Sequence, residues 1–249
     1  MAQFSYSRVG CYANCPYQYY LKYVEKLKTI PPQNADNALY LGLGVHSGIE
    51  HGNAQAGIDE YKSHYNIIND QHINWIMQLE YQIPRAIELL PQGGEHELEI
   101  KTDEFIGYID YVCDDTLFDF KFSNNVDNYL KSPQLSIYKY YLEKVRPDIK
   151  INHLKYVFIP KVNIRQKLKS NPPETIMEFR KRLLENLETT EIKIVEVEFD
   201  IESVSQFQEA CQHLKTVKDF PKNPTRLCNW CDYQTYCESN REVDYMIVR

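Results

Sequence analysis

The sequence predicts an α/β fold in which a mixed sheet is flanked by helices, and three observations support this prediction. Segments of alternating polar and apolar residues, typical of strands, recur between residues 93 and 200. Helical patterns lie between several of these segments, so crossovers are expected together with hairpins. The chain has 249 residues and 43% hydrophobic content, which is enough to bury a substantial core. No internal repeat is evident, and one domain over residues 1–249 is expected.

Helices are expected before the sheet. Ser5 or Ser7 can cap a first short helix, and Pro16 can begin a second. From residue 39 to residue 90 the pattern is mostly helical, with Pro84 marking a break or a kink. We expect residues 39–90 to form a helical lobe inserted beside the sheet.

Strands and further helices are expected after residue 93. The predicted strands are His96–Lys101, Phe105–Val112, Leu117–Phe122, Leu154–Ile159 and Ile192–Phe199. The predicted helices of this part are Pro133–Leu142, Pro173–Glu188 and Val204–Lys218. Residues 102–104 and 114–116 are turn formers and connect the first three strands.

The composition restricts the class of protein. The N-terminus lacks a basic region followed by an apolar stretch, and no window approaches about 18 uninterrupted apolar residues. These features predict a soluble, cytoplasmic protein without a membrane partner. Seven cysteines without a secretion signal argue against a disulfide framework and for a reducing compartment. The net charge of −7 argues against indiscriminate binding to nucleic acid.

One segment reverses this negative charge. Residues 150–182 contain nine lysines and arginines against two glutamates. A confined positive face on an acidic protein can follow the phosphates of a nucleic acid. The residues predicted to do so are Lys161, Arg165, Lys167, Lys169 and Arg180. A solvated loop and helix face is the alternative interpretation.

Four cysteines can form one metal centre that joins the two ends of the chain. Cys228, Cys231 and Cys237 lie in a compact run, and Cys15 near the other end can supply the fourth ligand. Four thiolates suit Zn²⁺ or an iron–sulfur cluster. Zinc sites usually show two close ligand pairs, so the missing first pair favours iron–sulfur; Zn²⁺ and unrelated buried thiols are the alternatives. The remaining cysteines have no partner spacing and are expected to be small buried residues: Cys11, Cys113 and Cys211.

Two carboxylates and a lysine are expected to meet on the sheet. Strand alternation places Asp119 and Lys121 on one face, and the hairpin can bring Asp110 beside Asp119. Converging carboxylates repel unless a cation lies between them, and oxygen ligands suit Mg²⁺ or Mn²⁺. Lys121 can then orient or deprotonate a water, or stabilise charge on a phosphate. An exposed charged edge is the alternative, and the nearby Asp114 and Asp115 are assigned to a turn.

These residues resemble the motifs of a known family. The Gly-x-Ile-Asp strand that ends at Asp110, followed by Asp119-x-Lys121, resembles the PD-(D/E)XK nuclease superfamily, and specifically its RecB-type branch. The resemblance implies a restriction-endonuclease-like fold whose catalytic core spans residues 93–200. One departure is that relatives often have Glu where this sequence has Asp119, although Asp is also within the family pattern.

Two further motifs agree with this branch. Gly42-Leu43-Gly44-Val45-His46 is similar to its Gly-x-x-x-His motif, which implies that His46 is a metal ligand. Gln134 and Tyr138 are similar to its Gln-x-x-x-Tyr motif, which implies a catalytic role; a surface glutamine and a core tyrosine are the alternative. The branch sometimes takes one more acidic ligand from the preceding strand. Strand alternation places all three glutamates of this strand on one face and so does not identify the ligand: Glu95, Glu97 and Glu99. Glu97 is kept only as a weak candidate.

The cysteines extend the resemblance. AddB-type and CRISPR-adaptation nucleases of this branch carry one cysteine before the catalytic core and three after it, holding a [4Fe-4S] cluster. Cys15 and the three cysteines within residues 228–237 stand in those places. The resemblance therefore implies an iron–sulfur clasp. Because it would join the termini around the nuclease core and no electron-transfer partner is evident, we expect the cluster to be structural rather than redox-active.

The resemblance implies a metal-dependent DNA nuclease with a single-strand-preferring exonuclease activity that leaves 5′-phosphates, acting in repair, recombination or replication. His46, Asp110, Asp119 and the Phe120 carbonyl would hold one or two divalent cations, and Lys121 would assist the water. A structure-specific endonuclease, a ribonuclease and a non-catalytic nucleic-acid-binding module are the alternatives. The chain has no phosphate-binding loop for ATP, so unwinding would need a separate helicase or recombination partner.

Overall fold

A computed structural model describes residues 3–240 and the backbone of residues 247 and 248. Its α-helices are α1 (Tyr6–Asn14), α2 (Pro16–Tyr19), α3 (Ala38–Glu50), α4 (Ala54–Ser63), α5 (Asp70–Glu88), α6 (Asp127–Leu130), α7 (Gln134–Val145), α8 (Ile176–Glu188), α9 (Ile201–Thr216) and α10 (Gln234–Glu238). A π-helical turn (Tyr20–Val24) continues α2, and a 3₁₀ turn (Arg226–Trp230) precedes α10. The predicted domain range also includes residues 1–2, 241–246 and 249, which lie outside the described residues.

The strands form two sheets. They are β1 (Lys28–Thr29), β2 (Glu95–Lys101), β3 (Ile106–Cys113), β4 (Thr116–Phe122), β5 (His153–Ile159), β6 (Lys193–Val197) and β7 (Ile247–Val248). The main sheet has the order β2-β3-β4-β5-β6, and β1 pairs with β7. In the main sheet β4 and β5 are parallel and the other neighbours are antiparallel. The prediction of an α/β fold with a mixed sheet flanked by helices is confirmed.

Helices cover both faces of the main sheet. On one face, α7 and α9 enclose aromatic side chains such as Phe105, Tyr141 and Phe207. On the other face, the helical lobe, which we define as α3, α4 and α5, packs Leu41 and Leu79 against the apolar side of β4. The alternation of β4 therefore has the expected consequence, because its phenylalanines face the lobe and its charged residues face away from it.

Pro84 does not interrupt the lobe. The sequence predicts a break or a kink there, but α5 runs from Asp70 to Glu88 with Pro84 inside it, so the prediction of a break is wrong. Proline removes one backbone hydrogen bond from a helix. Ile83 and Ala86, on either side of it, are fully buried in the lobe, and this packing holds the helix together.

The two ends of the described chain lie against each other. Tyr17 N donates to Pro221 O over 3.2 Å, and Tyr233 Oη donates to Leu27 O over 2.6 Å. Leu21 is fully buried in a small apolar cluster with Tyr233 and Tyr236. Among the described helices, none has the length and the apolar run that a transmembrane span requires.

Candidate active site

His46 reaches the sheet from α3. Helix α3 approaches α4 so closely that a Cβ on Gly44 would lie 2.8 Å from Gly57 O, which only glycine permits. His46 Nε2 lies 3.0 Å from Phe120 O, so a proton on Nε2 donates to that carbonyl. The lobe thereby presents the imidazole to β4 from the side, with its Nδ1 atom turned towards β2 and β3.

Two carboxylates meet His46 at Nδ1. Asp110 Oδ1 lies 3.4 Å from this atom and Glu97 Oε1 lies 3.9 Å from it. One ligand atom from each of the three residues lies within 4.8 Å of the others. Burial lowers the pKa of His46, but the charge of Asp110 and the hydrogen bonds that the ring donates to both carboxylates raise it to about 10. An imidazole and two carboxylates so placed fit a divalent cation of the Mg²⁺ or Mn²⁺ type.

Glu97 has a strained backbone at this point. Its φ angle is 47°, in the left-handed region that favours glycine, although it lies within a strand. The register pairs on either side of it, His96 with Tyr111 and Leu98 with Ile109, flank Asp110 on β3. Glu99, by contrast, accepts a hydrogen bond from Tyr108 Oη over 3.0 Å, and Glu95 is exposed. The strain explains why strand alternation alone could not select Glu97 from the three glutamates.

Asp119 lies on β4 in a second group with Lys121 and α7. Its side chain is 1% exposed, and its Oδ2 atom lies 2.5 Å from Lys121 Nζ. Gln134 Nε2 donates to Asp119 Oδ1 over 2.8 Å and also lies 3.3 Å from Tyr138 Oη. Lys121 Nζ in turn lies 3.4 Å from Gln134 Oε1. The structure therefore brings together four of the predicted catalytic residues.

The charge of Asp119 is incompletely compensated. Burial and the neighbouring charge of Asp110 raise the pKa of Asp119 to about 7, although Lys121 and His46 oppose the rise. Its Oδ2 atom is buried and has no hydrogen bond of regular geometry despite the close ammonium. A buried carboxylate oxygen without a full complement of partners is what a cation site needs. The residues present thus fit the divalent cation that the sequence predicts.

The predicted ligands are divided between two groups. His46 and Asp110 share one group with Glu97, whereas Asp119 belongs to the group of Lys121. The two groups are joined by Asp110, whose Oδ2 atom accepts a hydrogen bond from Phe120 N over 2.6 Å. The Phe120 carbonyl faces His46 Nε2, so its predicted role as a cation ligand stays a prediction.

Two tyrosines that the sequence did not single out hold Lys121. The ammonium lies 5.4 Å from the ring centre of Tyr129 and 5.9 Å from that of Tyr156. Tyr156 is the register partner of Asp119 on the parallel strand β5. The sequence does show a tyrosine in the predicted strand that follows β4 along the chain. However, a long crossover separates β4 from β5, so the sequence alone does not give the register that places this tyrosine beside Asp119.

The four predicted cysteines line one cavity of about 180 Å³ at the meeting of the chain ends. Thr225 N lies 3.4 Å from Cys228 Sγ, as a backbone donor to sulfur. Burial raises the pKa of Cys231, and the nearby Cys15 and Cys228 raise it further. Among the described residues, no three cysteines form a group with ligand atoms within 4.8 Å of one another. The cavity brings these thiols together without the closeness of a single-ion site.

The basic segment is partly neutralised. Arg180 binds Asp70 over 2.7 Å, and Arg182 binds Glu174 over 2.8 Å. Lys161 places its ammonium 5.0 Å from the Phe122 ring centre. Three predicted phosphate contacts lie exposed on the loop after β5: Arg165, Lys167 and Lys169. Of the five predicted phosphate contacts, those that are exposed therefore all lie on this loop.

Comparison with known proteins shows the family of the chain. The family model of the PD-(D/E)XK nuclease superfamily matches residues 3–238. A crystal structure described as a "putative exonuclease" from Eubacterium rectale is similar with a TM-score of 0.53, at 12% sequence identity and over 92% of each chain. At that identity the likeness shows a shared fold. No curated protein gives a significant match.

Proposed function

Because this chain belongs to the PD-(D/E)XK nuclease superfamily, we propose that it is a divalent-metal-dependent DNA nuclease of the RecB-type branch. The observation that carries the proposal is that two groups of side chains lie side by side on the neighbouring strands β3 and β4 and are joined by Asp110. One group contains His46, Glu97 and Asp110, and the other contains Asp119 and Lys121. This pairing of candidate cation ligands with a buried ammonium is the arrangement that phosphodiester hydrolysis requires.

The candidate ligands are His46, Glu97, Asp110 and Asp119. A divalent cation bound there would supply Lewis-acid activation of the phosphate and lower the pKa of a bound water. Asp110 fixes the geometry of the site, because its backbone lies in β3 while its side chain binds the backbone of Phe120 in β4. His46 closes the site from the lobe, so the lobe and the sheet must stay packed for the ligands to converge.

Lys121 acts as a cation in this proposal. Burial lowers the pKa of its ammonium, but Asp119 outweighs burial and raises the pKa above its ordinary value. A lysine with a raised pKa keeps its proton, so it stabilises charge on the phosphate and orients the attacking water rather than deprotonating it. Gln134 holds both Asp119 and Lys121, and Tyr138 holds Gln134. These two residues position the catalytic pair.

The proposed substrate is DNA that is single-stranded or has single-stranded ends, cut exonucleolytically to leave 5′-phosphates. Support comes from the family and from the exposed basic loop after β5, which can follow a flexible strand. A role in repair, recombination or replication would place the enzyme with a separate helicase or recombination partner in the cytoplasm.

The cysteine cavity is proposed to hold a [4Fe-4S] cluster that ties the chain ends. Support comes from the position of Cys15, Cys228, Cys231 and Cys237 around one cavity. The sequence spacing, which lacks the first close ligand pair of a typical zinc site, favours a cluster over Zn²⁺.

The test is a cleavage assay on protein purified without oxygen. End-labelled single-stranded DNA, duplex DNA and RNA are incubated with Mg²⁺, with Mn²⁺ or with a chelator, and product ends are identified. We expect metal-dependent shortening of single-stranded DNA from an end. Lys121→Ala should lower the rate by about 100-fold or more, whereas Lys62→Ala, an exposed lysine of the lobe, should leave it unchanged.

Each other outcome has a defined meaning. Internal cuts would replace the exonuclease proposal with an endonuclease, and preferred cleavage of RNA would replace it with a ribonuclease. Absence of cleavage of all three substrates with both Mg²⁺ and Mn²⁺, or equal cleavage by Lys121→Ala, would contradict the catalytic proposal and favour a non-catalytic binding module.

A further inference from the structure

A polar pocket lies between the helical lobe and the loop that follows β5. Its volume is about 430 Å³, and ligand pockets commonly range from about 300 to 1,000 Å³. It is lined by side chains from the segment before α3, from α5, from the loop after β5 and from α8, among them Asp36, Asn74, Trp75, Asn163, Arg165 and Phe179. None of them belongs to the two groups of the candidate active site.

We propose that this pocket binds one nucleobase of the substrate strand, beside the phosphate that is cut. The proposal rests on the proposed nuclease function, because it assigns a position to part of the same substrate. It does not depend on whether the sugar is deoxyribose or ribose.

The chemistry of the lining fits a base. Trp75 offers an indole, and Phe179 adds an apolar wall; bases stack on such rings without regard to sequence. Asn74 and Asn163 carry amides that can both donate and accept, as the edge of a base does. Arg165 can donate to a base oxygen or to an adjoining phosphate. An apolar slot with a polar rim is therefore present.

Several polar groups of the rim have no protein partner. Within the described part of the chain, the side chains of Gln71, Asn163 and Arg165 make no hydrogen bond. Asn74 Oδ1 accepts from Arg180 Nε over 3.2 Å, which fixes the amide and leaves its NH₂ group for a ligand. These groups converge on one cavity and can all reach a planar ligand in it.

The pocket is rigid at its base. Gln78 is 3% exposed, and its amide donates to Val162 O over 3.2 Å and accepts from Val162 N over 2.8 Å. This pair of hydrogen bonds attaches the loop after β5 to α5. A ligand site held in this way loses little entropy on binding, because its walls are already ordered.

The pocket lies close to the catalytic strand. Trp75 stands edge-on to Phe122 with ring centres 6.3 Å apart, and Phe122 directly follows Lys121 in β4. The Lys161 ammonium lies over the same Phe122 ring. Both β4 and the parallel β5 end at this edge of the sheet, where α/β folds place their ligands. A strand that passes over this edge of the sheet can therefore put a base into the pocket.

The test combines changes in the substrate and in the protein. A single-stranded oligonucleotide is made in versions that each carry one abasic position, and KM and kcat are measured for every version. For the wild type we expect one position, near the cut, at which loss of the base raises KM about ten-fold with little change in kcat.

The protein variants show whether that base occupies this pocket. Asn163→Ala and Trp75→Leu should raise KM for the intact strand and should lose the penalty at the sensitive position. Asn66→Ala, an exposed asparagine that does not line the pocket, should behave as the wild type. Melting temperatures exclude unfolding as the cause, and Asn163→Ala, on an exposed loop, keeps the test valid if Trp75→Leu is unstable.

Two results would overturn the inference. If no abasic position matters, or if Asn163→Ala keeps the full penalty, the pocket does not hold a base, although the nuclease proposal survives. If the wild type cleaves no nucleic acid, the proposed function fails, and the pocket inference fails with it.

Discussion

The active site assembles charged side chains on the sheet, whereas the cysteine cavity joins the two ends of the chain among apolar side chains. Asp110 and Asp119 are both more than 90% buried, and burial together with mutual repulsion raises the pKa of Asp119. Around the cysteines, Leu21, Tyr233 and Tyr236 form an apolar cluster. Burial of charged side chains costs folding free energy, but it shifts their pKa values in ways that catalysis uses. Contacts between apolar side chains instead stabilise the fold. We therefore expect changes at the first site to affect reaction and changes at the second to affect stability.

The first prediction concerns Glu97, the glutamate whose backbone is strained. Glu97→Gln removes a charged ligand and should weaken Mn²⁺ binding at least ten-fold, with a comparable loss of cleavage. Glu99→Gln is the matched control on the same strand, and it should bind Mn²⁺ as the wild type does because Glu99 faces Tyr108. Calorimetric titration measures both affinities. Equal affinities for the two variants would remove Glu97 from the ligand set.

The second prediction concerns the dependence of cation binding on pH. The carboxylates around His46 raise its pKa to about 10, so its ring holds a proton at neutral pH that a cation must displace. The affinity for Mn²⁺ should therefore rise with pH, by up to ten-fold per unit between about pH 7 and 9. Below about pH 7 the raised pKa of Asp119 adds a second proton, so the dependence should become steeper.

Calorimetry in buffers of different ionisation enthalpy measures the protons that are released on binding. Release of about one proton at pH 8 is expected, and His46→Asn should abolish it. An affinity that does not change between pH 7 and 9 would contradict the assignment of His46 as a ligand.

The cysteine cavity should affect stability more than reaction. Closing the loop between Cys15 and Cys228 costs roughly 5 kcal/mol of chain entropy, which a bound cluster offsets. Cys228→Ser should lose the brown colour of the cluster and lower Tm by about 10 °C, since 1 kcal/mol corresponds to about 2–4 °C at this size. Cys11→Ser, a thiol near the cavity that does not line it, should keep the colour. Retention of colour by Cys228→Ser would exclude this residue as a ligand.

Local patterns in the sequence account for much of the fold and of the site. Alternation in β4 predicted that Asp119 and Lys121 share a face, and the hairpin predicted that Asp110 lies near them. The structure brings all three together. Such features depend on neighbouring residues and on short connections, which is why the sequence reveals them.

Other features depend on contacts between distant segments. Glu97 has a left-handed backbone and meets His46 of the lobe and Asp110 of β3, and no pattern in β2 reveals either feature. Arg180 forms an ion pair with Asp70, which lies 110 residues earlier in the sequence. The basic segment of residues 150–182 therefore carries less uncompensated positive charge in the fold than its sequence indicates. Pro84 predicts a break, but burial of the surrounding helix overrides the local preference.

One measurement tests the separation of the two sites most directly: cleavage of single-stranded DNA, colour and Tm determined together for Lys121→Ala and Cys228→Ser. We predict that Lys121→Ala keeps its colour and Tm but loses cleavage, and that Cys228→Ser loses its colour and Tm but still cleaves well below its melting temperature. Cleavage by Lys121→Ala, or loss of cleavage by folded Cys228→Ser at low temperature, would contradict the account.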